Sequence, residues 1–492
     1  MHQSAQSTLP RVIGPVMGIA IVVGTVIGSG VFKKASAVAS NVNEFALVVL
    51  AWVLIGVLTL VGSLALAEVA VLLPRAGGNY VFLREGFGRW AGFLWGWVDF
   101  CVIRSASIAA LASIFTESLH AVLRDLMSME TVLPYWGEQT VTVVVIVALA
   151  LVNARGTTWG GGLQVLITSV KVLSLVGIAV LPFVFLAATN PNSAIDTSLL
   201  EPIWPPDIST VNWSAFGAAL VGVFWAYHGW QNLGPVAEEI RNPGRNIPLA
   251  LIGGMLLVTL LYVTVNIAYY LVVPRGEMIQ QGRDIPVATL FAMRLLGRLG
   301  VMLASAAVMT SVFGALNGNL LVGPRLLFAM GRDRLVPHGL ARLHPSYQTP
   351  AVATITLAAW SVLLVVVVAL LQPGRGMFDT LTDYAMFGAL SFETLVVASL
   401  FIFRRRYPPS EVDVPYRCPL YPWLPIVYVI AMSAVLGNMF ISELKASLAA
   451  LGLIAIGAVV YLLLFAGRPD RSEPVVDRTA GDPHVWPGSG SD

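Results

Sequence analysis

Two short stretches of this sequence place weak helix formers and polar groups inside otherwise continuous apolar segments. The first reads Gly24-Thr25-Val26-Ile27-Gly28-Ser29-Gly30, and the second Trp225-Ala226-Tyr227-His228-Gly229-Trp230-Gln231-Asn232-Leu233-Gly234-Pro235. Glycine in a helix interior costs about 1 kcal/mol relative to alanine, so both stretches are weak points. For the first stretch alone, the Gly24–Gly28 spacing equally suits close packing of two helices through small residues. The second is harder to read as packing, because a polar run bounded by Gly229 and Gly234, with Pro235 next, interrupts an apolar span. Irregular backbone at membrane depth persists only where it lines a cavity or is buried in protein. A broken helix presents N–H groups where its second half begins and carbonyls where its first half ends. The N–H groups suit a carboxylate and the carbonyls an ammonium. A zwitterionic amino acid needs both.

Side chains add to this backbone chemistry. Lys171, in Ile167-Thr168-Ser169-Val170-Lys171, lies near the middle of an apolar run, where an ionisable group costs at least about 2.5 kcal/mol unless paired or hydrated. Snorkelling to an interface is the plain alternative. Arg104 meets the same penalty, and Asp99, about one turn earlier, is within reach as a partner; a structural role is expected. Glu68 and Asp383 are expected at interfaces or gates, and Glu238 and Glu239 in pairs with loop arginines. A histidine ordinarily changes charge near neutrality; for His228, shaping a pocket, sensing pH and packing all stay open. The other histidines, His2, His120, His338, His344 and His484, fall outside the apolar spans or at their edges. With no convergent nucleophile, acid/base pair or metal cluster, no catalytic residue, metal site or cofactor is expected. A channel would want rings of charge or filter carbonyls, and the paired breaks fit alternating access better. Cys101 and Cys418 are too few and too far apart for a disulfide scaffold.

The elements that must position these groups are membrane helices. The chain is 57% hydrophobic and 11% charged, against about a quarter charged in soluble domains, and runs such as 45–67 and 143–152 offer water no polar face. The net charge of +2 carries no message, and nothing suggests nucleic acid; the lipid bilayer is the expected surrounding. At about 20 apolar residues per crossing, twelve spans are predicted: about 13–38, 44–72, 90–119, 138–153, 162–187, 211–238, 248–272, 300–330, 350–371, 378–402, 420–440 and 444–466. The fourth looks short, and the eighth has an amphipathic lead-in, 287–299, expected at the surface. Arg75, Arg84, Arg89, Arg155, Arg241, Arg245, Arg332, Arg334, Arg342, Arg404, Arg405, Arg406 and Arg417 all lie in loops that follow even-numbered spans. The positive-inside rule makes that side, and both termini, cytoplasmic. No cleavable signal peptide is evident. The divisions are an N-terminal tail (1–12), a ten-helix core (13–402), two additional helices with their preceding loop (403–466), and a polar tail (467–492) expected to be disordered.

Two interruptions five spans apart are what an inverted repeat predicts, with spans one to five matching six to ten. The flanking motifs strengthen this reading. Gly24-Thr-Val-Ile-Gly-Ser-Gly-Val-Phe32, Leu73-Pro-Arg-Ala-Gly-Gly-Asn-Tyr80, the stretch 224–248, Phe313-Gly-Ala-Leu-Asn-Gly318, the stretch 325–337, Thr349-Pro350 and Cys101-Val-Ile-Arg104 occur in order. Through them the sequence, from about Val12 to Leu464, resembles the amino acid–polyamine–organocation (APC) superfamily, nearest to the L-type amino acid transporters and their bacterial relatives. The resemblance implies an all-α polytopic membrane protein of twelve transmembrane helices, a five-plus-five inverted repeat with helices 1 and 6 discontinuous, and transport by alternating access. It further implies that substrate is held around Val26, Ile27, Gly28, Ser29, Gly30, Trp225, Tyr227, His228 and Gly229, with Asn317 near the pocket. Carboxylate would meet the Ser29 and Gly30 N–H groups, and ammonium the carbonyls of Val26, Trp225 and His228. Trp225 would act as an aromatic gate. Lys171 would take the place that sodium fills in sodium-coupled relatives, so sodium independence is expected.

His228 departs from the Gly, Asp or Ser common at its position in relatives. The absence of Asp there favours neutral L-amino acids, and the bulk of Trp225 smaller ones. A cationic amino acid or polyamine antiporter of the same superfamily is the alternative. Animal L-type chains join a glycoprotein through a cysteine between spans three and four; 120–139 has none, so no disulfide-linked heavy chain is expected. The preference for Arg over Lys hints at a GC-rich bacterial genome, and the plasma (inner) membrane is the expected location.

Overall fold

The computed structural model describes residues 9–127, 132–188, 196–282, 285–371 and 377–467. The polar tail from 468 onward and the side chain of Asp383 therefore lie outside it. Among the described residues the fold is helical, with no strand beyond an isolated bridge between Ile13 and Ile240. In chain order the helices are α1 (Pro15–Val26), α2 (Gly30–Asn41), α3 (Phe45–Leu72), α4 (Asn79–Phe87), α5 (Arg89–Val98), α6 (Ser105–Met127), α7 (Tyr135–Ala154), α8 (Thr157–Ala188) and α9 (Trp213–Tyr227). They continue with α10 (Pro243–Val272), α11 (Arg275–Gln281), α12 (Val287–Leu296), α13 (Arg298–Val322), α14 (Pro324–Arg332), α15 (Ala351–Leu371), α16 (Met377–Arg406), α17 (Trp423–Ser442) and α18 (Leu444–Leu464). A π-helical turn, Asp99–Arg104, joins α5 to α6, and a 3₁₀ segment, Trp230–Glu239, follows α9.

Among the described residues, eleven helical segments are long and apolar enough to cross a membrane. The expected segment not among them is 211–238, where α9 has only 15 residues before the chain leaves the α-helix. The fourth expected span is a 20-residue helix, long enough to cross. The lead-in to the eighth, expected at the surface, is instead buried on all sides from Val287 to Ala292 of α12, and its Phe291 ring meets Tyr269 of α10 edge-on at 5.6 Å. A left-handed Gly297 (φ +59°) then turns the chain into α13.

Helix α10 packs on α3 and α1, and α13 on α6 and α8, so the broken α1–α2 segment lies within the bundle. Leucines such as Leu166, Leu173 and Leu463 point outward, as a hydrocarbon surround requires. α17 and α18 sit at the periphery, on α3, α5, α9 and α16.

One end of the bundle is clasped by ion pairs. Ile13 donates its N–H to Glu239 O at 2.9 Å and accepts from Arg241 N–H at 2.9 Å, laying the N-terminal stretch against the end of the 3₁₀ segment. Glu239, fully buried, receives Arg325 Nε at 2.8 Å and the Thr157 hydroxyl at 2.7 Å. Glu238 receives Arg332 at 3.0 Å and the N–H groups of Leu9 and Ala76. Asp333 receives the Tyr80 hydroxyl at 2.5 Å and Arg84. The turn before α4 reaches this clasp through glycine: Gly78 has φ +52°, and a Cβ there would lie 2.5 Å from Pro235 N. Only glycine tolerates both.

A second cluster ties α3 to the loop before α17. Glu68 pairs with Arg404 at 2.7 Å and accepts the Cys418 N–H at 2.7 Å. Burial, with Glu68 adding to it, pushes the Cys418 thiol up to about 12. Since the thiolate is the reactive form, Cys418 is expected to stay unmodified by a membrane-permeant maleimide at pH 7 and to label once the protein is denatured, as read by peptide mass. For the clasp, Arg325→Ala strands the buried Glu239 carboxylate and is expected to destabilise the fold by about 3–5 kcal/mol, seen as a lower thermal unfolding midpoint in detergent.

Candidate functional site

The first break follows from how α1 ends. Ile27 (ψ 87°) leaves the helix with its N–H still on Val23 O at 2.8 Å, and Gly28 N–H turns back to Val26 O at 2.8 Å. Ser29 then returns to helical backbone and starts α2. The N–H groups of Ser29 and Gly30, at the start of a helix, have no intrahelical acceptor. The stranded carbonyls are met from elsewhere. Lys171 Nζ donates to Gly24 O and Ile27 O, each at 2.7 Å. The Ser311 hydroxyl reaches Ile27 O at 3.1 Å and Gly28 O at 2.9 Å. Tyr262, from α10, places its hydroxyl 3.1 Å from Val26 O and 2.9 Å from Ala226 O.

The second break begins where α9 ends at Tyr227. His228 is extended, Gly229 is left-handed (φ +113°), and the 3₁₀ segment starts at Trp230. The two breaks touch. Thr25 Oγ1 is 3.2 Å from Gly229 O, and a Cβ on Gly30 would come within 2.5 Å of Ala226 Cα, so α2 and α9 approach backbone to backbone.

Between the breaks lies a cavity of about 50 Å³, several times what one water needs. Val26, Gly28, Ser29 and Gly30 line it from the first break, and Trp225, His228 and Gly229 from the second. The Trp225 and His228 rings are parallel to within 3°, with centroids 6.2 Å apart. Ile103, Arg104, Ser107 and Leu111 form another wall, with Ala315 and Asn319 of α13. Arg104 is anchored by Asn232 Oδ1 and Asn319 Oδ1, each at 2.8 Å, and by Asp99 at 3.4 Å. The π turn that carries both Asp99 and Arg104 inserts an extra residue into the helix, a distortion often found at functional sites.

Three of the expected residues do not line this cavity. Ile27 is buried, its carbonyl taken by Lys171 and Ser311. Tyr227 points its hydroxyl to Trp52 O at 3.1 Å. Asn317 is enclosed by Asn153 at 2.9 Å, Gly160 O at 3.1 Å and Gln164 at 2.8 Å; Asn319, two residues on, reaches the cavity in its stead. Arg104, expected to be structural, is part of the cavity wall. Sequence reading also passed over Glu393. It lies on α16, 1% exposed, with Oε1 2.9 Å from His228 Nε2 and 2.6 Å from Gln231 Nε2. A lone acidic residue in an apolar run was its only signal.

Comparison with known proteins agrees with this arrangement. A family model described as amino acid permease matches residues 13–467. The chain is 32% identical to the serine/threonine exchanger SteT of Bacillus subtilis, covering 90% of this chain and 94% of that protein. It is 30% identical to the human large neutral amino acids transporter small subunit 2, over 92% of this chain and 80% of the relative. It is 28% identical to the mouse b(0,+)-type amino acid transporter 1, over 89% and 84%. These relatives are transporters and not enzymes. Its helices, its two interrupted segments and these matches agree: the chain is an integral membrane transporter of the amino acid permease family, within the APC superfamily.

Proposed function

We propose that this protein carries neutral L-amino acids across the plasma (inner) membrane by alternating access, without sodium, as an exchanger or uptake carrier. In this reading 211–238 also crosses the membrane, as the sixth of twelve spans, the core is a five-plus-five inverted repeat, and both termini are cytoplasmic. The observation that carries it is the meeting of the two breaks at one cavity, with Ser29 and Gly30, the residues that begin α2, on its wall. There the substrate carboxylate faces the start of α2, where the helix dipole favours negative charge. Val26 O is already engaged by Gly28 N–H and the Tyr262 hydroxyl. Trp225 O already accepts the His228 N–H at 3.2 Å but, holding one donor against two at Val26 O, keeps a second lone pair, so the ammonium falls to it together with the His228 carbonyl. Its side chain faces Ser107, Asn232 and Asn319, a wall suited to small neutral side chains with a hydroxyl or amide, and the Bacillus relative's name, a serine/threonine exchanger, favours the same class. Trp225 closes over the bound substrate. Lys171 supports sodium independence, since its ammonium occupies the Gly24 and Ile27 carbonyls as a bound cation would.

The test is counterflow of a labelled neutral amino acid into proteoliposomes against unlabelled competitors. Serine, threonine and alanine are expected to compete most strongly, and arginine at least about tenfold more weakly; arginine competing equally would overturn neutral selectivity. Uptake is expected to be unchanged when choline replaces sodium, and sodium stimulation would overturn that part. Lys171→Ala, which takes the side-chain donor from the buried Gly24 carbonyl and leaves Ile27 O to Ser311 alone, is expected to lower transport at least about tenfold; transport at the unsubstituted rate would exclude the role given to Lys171.

A further inference from the structure

Behind the cavity wall, His228 and Glu393 form a pair that the transport reading does not use. Glu393 is sealed from solvent, while the His228 side chain keeps 15% of its surface open at the cavity. Oε1 of Glu393 meets His228 Nε2 and Gln231 Nε2, and its Oε2 has no hydrogen-bond partner. A buried carboxylate paired at one oxygen only is costly as an isolated anion. A proton on the pair removes that cost, whether it makes imidazolium facing carboxylate or imidazole facing carboxylic acid.

The surroundings leave the pair to set the local charge. Asp99 faces His228, Arg104 lines the same cavity, and the two form a pair of opposite charges at 3.4 Å. Tyr428 of α17 faces Glu393 with a neutral hydroxyl, and Gln231 is neutral. Trp225 covers the ring, and Thr25 and Gly229 at the break do not titrate. Without its proton the pair carries one negative charge; with it, none.

We propose that His228 and Glu393 form a proton-binding site whose one exchangeable proton competes with the ammonium group of the substrate. The proposal rests on the amino acid reading above, in which that ammonium lies on the carbonyls of Trp225 and His228. His228 gives the proton its route to the cavity, and Glu393 supplies the charge that holds it. Proton and ammonium answer to the same negative charge, so binding one weakens the other by the same factor. The sign follows: raising the pH removes the proton, restores the negative charge and tightens substrate binding, and binding substrate at intermediate pH releases a proton.

Binding of the strongest competitor from the counterflow panel to purified protein in detergent tests this, with proton release followed by an indicator dye in weak buffer. The unsubstituted protein is expected to bind about tenfold more tightly at pH 8 than at pH 5.5, releasing up to one proton per substrate bound. Glu393→Gln is expected to hold the weak, acid-side affinity at both pH values, and Glu393→Asp to restore the pH dependence. Substrate binding with no proton release in the unsubstituted protein, or an undiminished pH dependence in Glu393→Gln, overturns the proposal and leaves the amino acid reading standing. Because the release arm uses the unsubstituted protein alone, it decides the matter even if Glu393→Gln does not fold. Failure of every panel member to bind at any pH removes the amino acid reading and this proposal with it.

Discussion

The arrangement depends on one constraint, that peptide groups stranded at membrane depth must find partners without water. An unpaired carbonyl there costs several kcal/mol, and the α1–α2 break creates several in close succession. Lys171, Ser311 and Tyr262, from three helices distant in sequence, supply the donors. Each bond therefore does two things. It makes the irregular backbone tolerable, and it fixes α8, α13 and α10 around the break. Those donors take up the carbonyls of the break, while Ser29 and Gly30, at the start of α2, line the cavity.

The second break is built differently. It draws on glycine more than on borrowed donors, with a left-handed Gly229 and the close pass of Gly30 by Ala226. Its far end is held by the clasp of Glu238, Glu239, Arg325 and Arg332, which also takes in the N-terminal stretch and the turn before α4. One broken segment is thus stabilised from the middle of the bundle and the other from its end. Between them the polar wall of Arg104, Asn232 and Asn319 is internally paired, so the cavity presents few unmet charges besides those governed by His228 and Glu393.

Much of this was legible in the residues. Glycine, serine and proline inside apolar runs mark backbone that cannot remain regular helix, and Lys171 in mid-span required a strong acceptor, which the structure supplies twice. The turn Gly77-Gly78 could be read as a motif, though the reason for it, contact with Pro235, is a matter of tertiary approach. Other features were out of reach for the same kind of reason. Asn317 and Asn319 are two residues apart on one helix and so project from it about 200° apart; without the neighbouring helices, nothing in the chain says which one meets the cavity. Glu393 lies 162 residues from Gln231, and its pairing is set by how α16 packs, which no local pattern encodes. The π turn at Asp99–Arg104 escaped because its residues are unremarkable as helix formers, and only the hydrogen-bond spacing reveals the extra residue.

Tyr262 has one hydroxyl proton and two acceptors, Val26 O and Ala226 O, one on each broken segment. Such a group can pass its bond from one segment to the other by a rotation about a single C–O bond. A shift of α1 relative to α9 can then lengthen one contact while shortening the other, and the buried donor is never left idle. If the two segments slide in the proposed transport cycle, the hydroxyl would act as a bearing between them, giving the centre of the protein a way to move at small enthalpic cost in a medium that otherwise punishes every broken hydrogen bond.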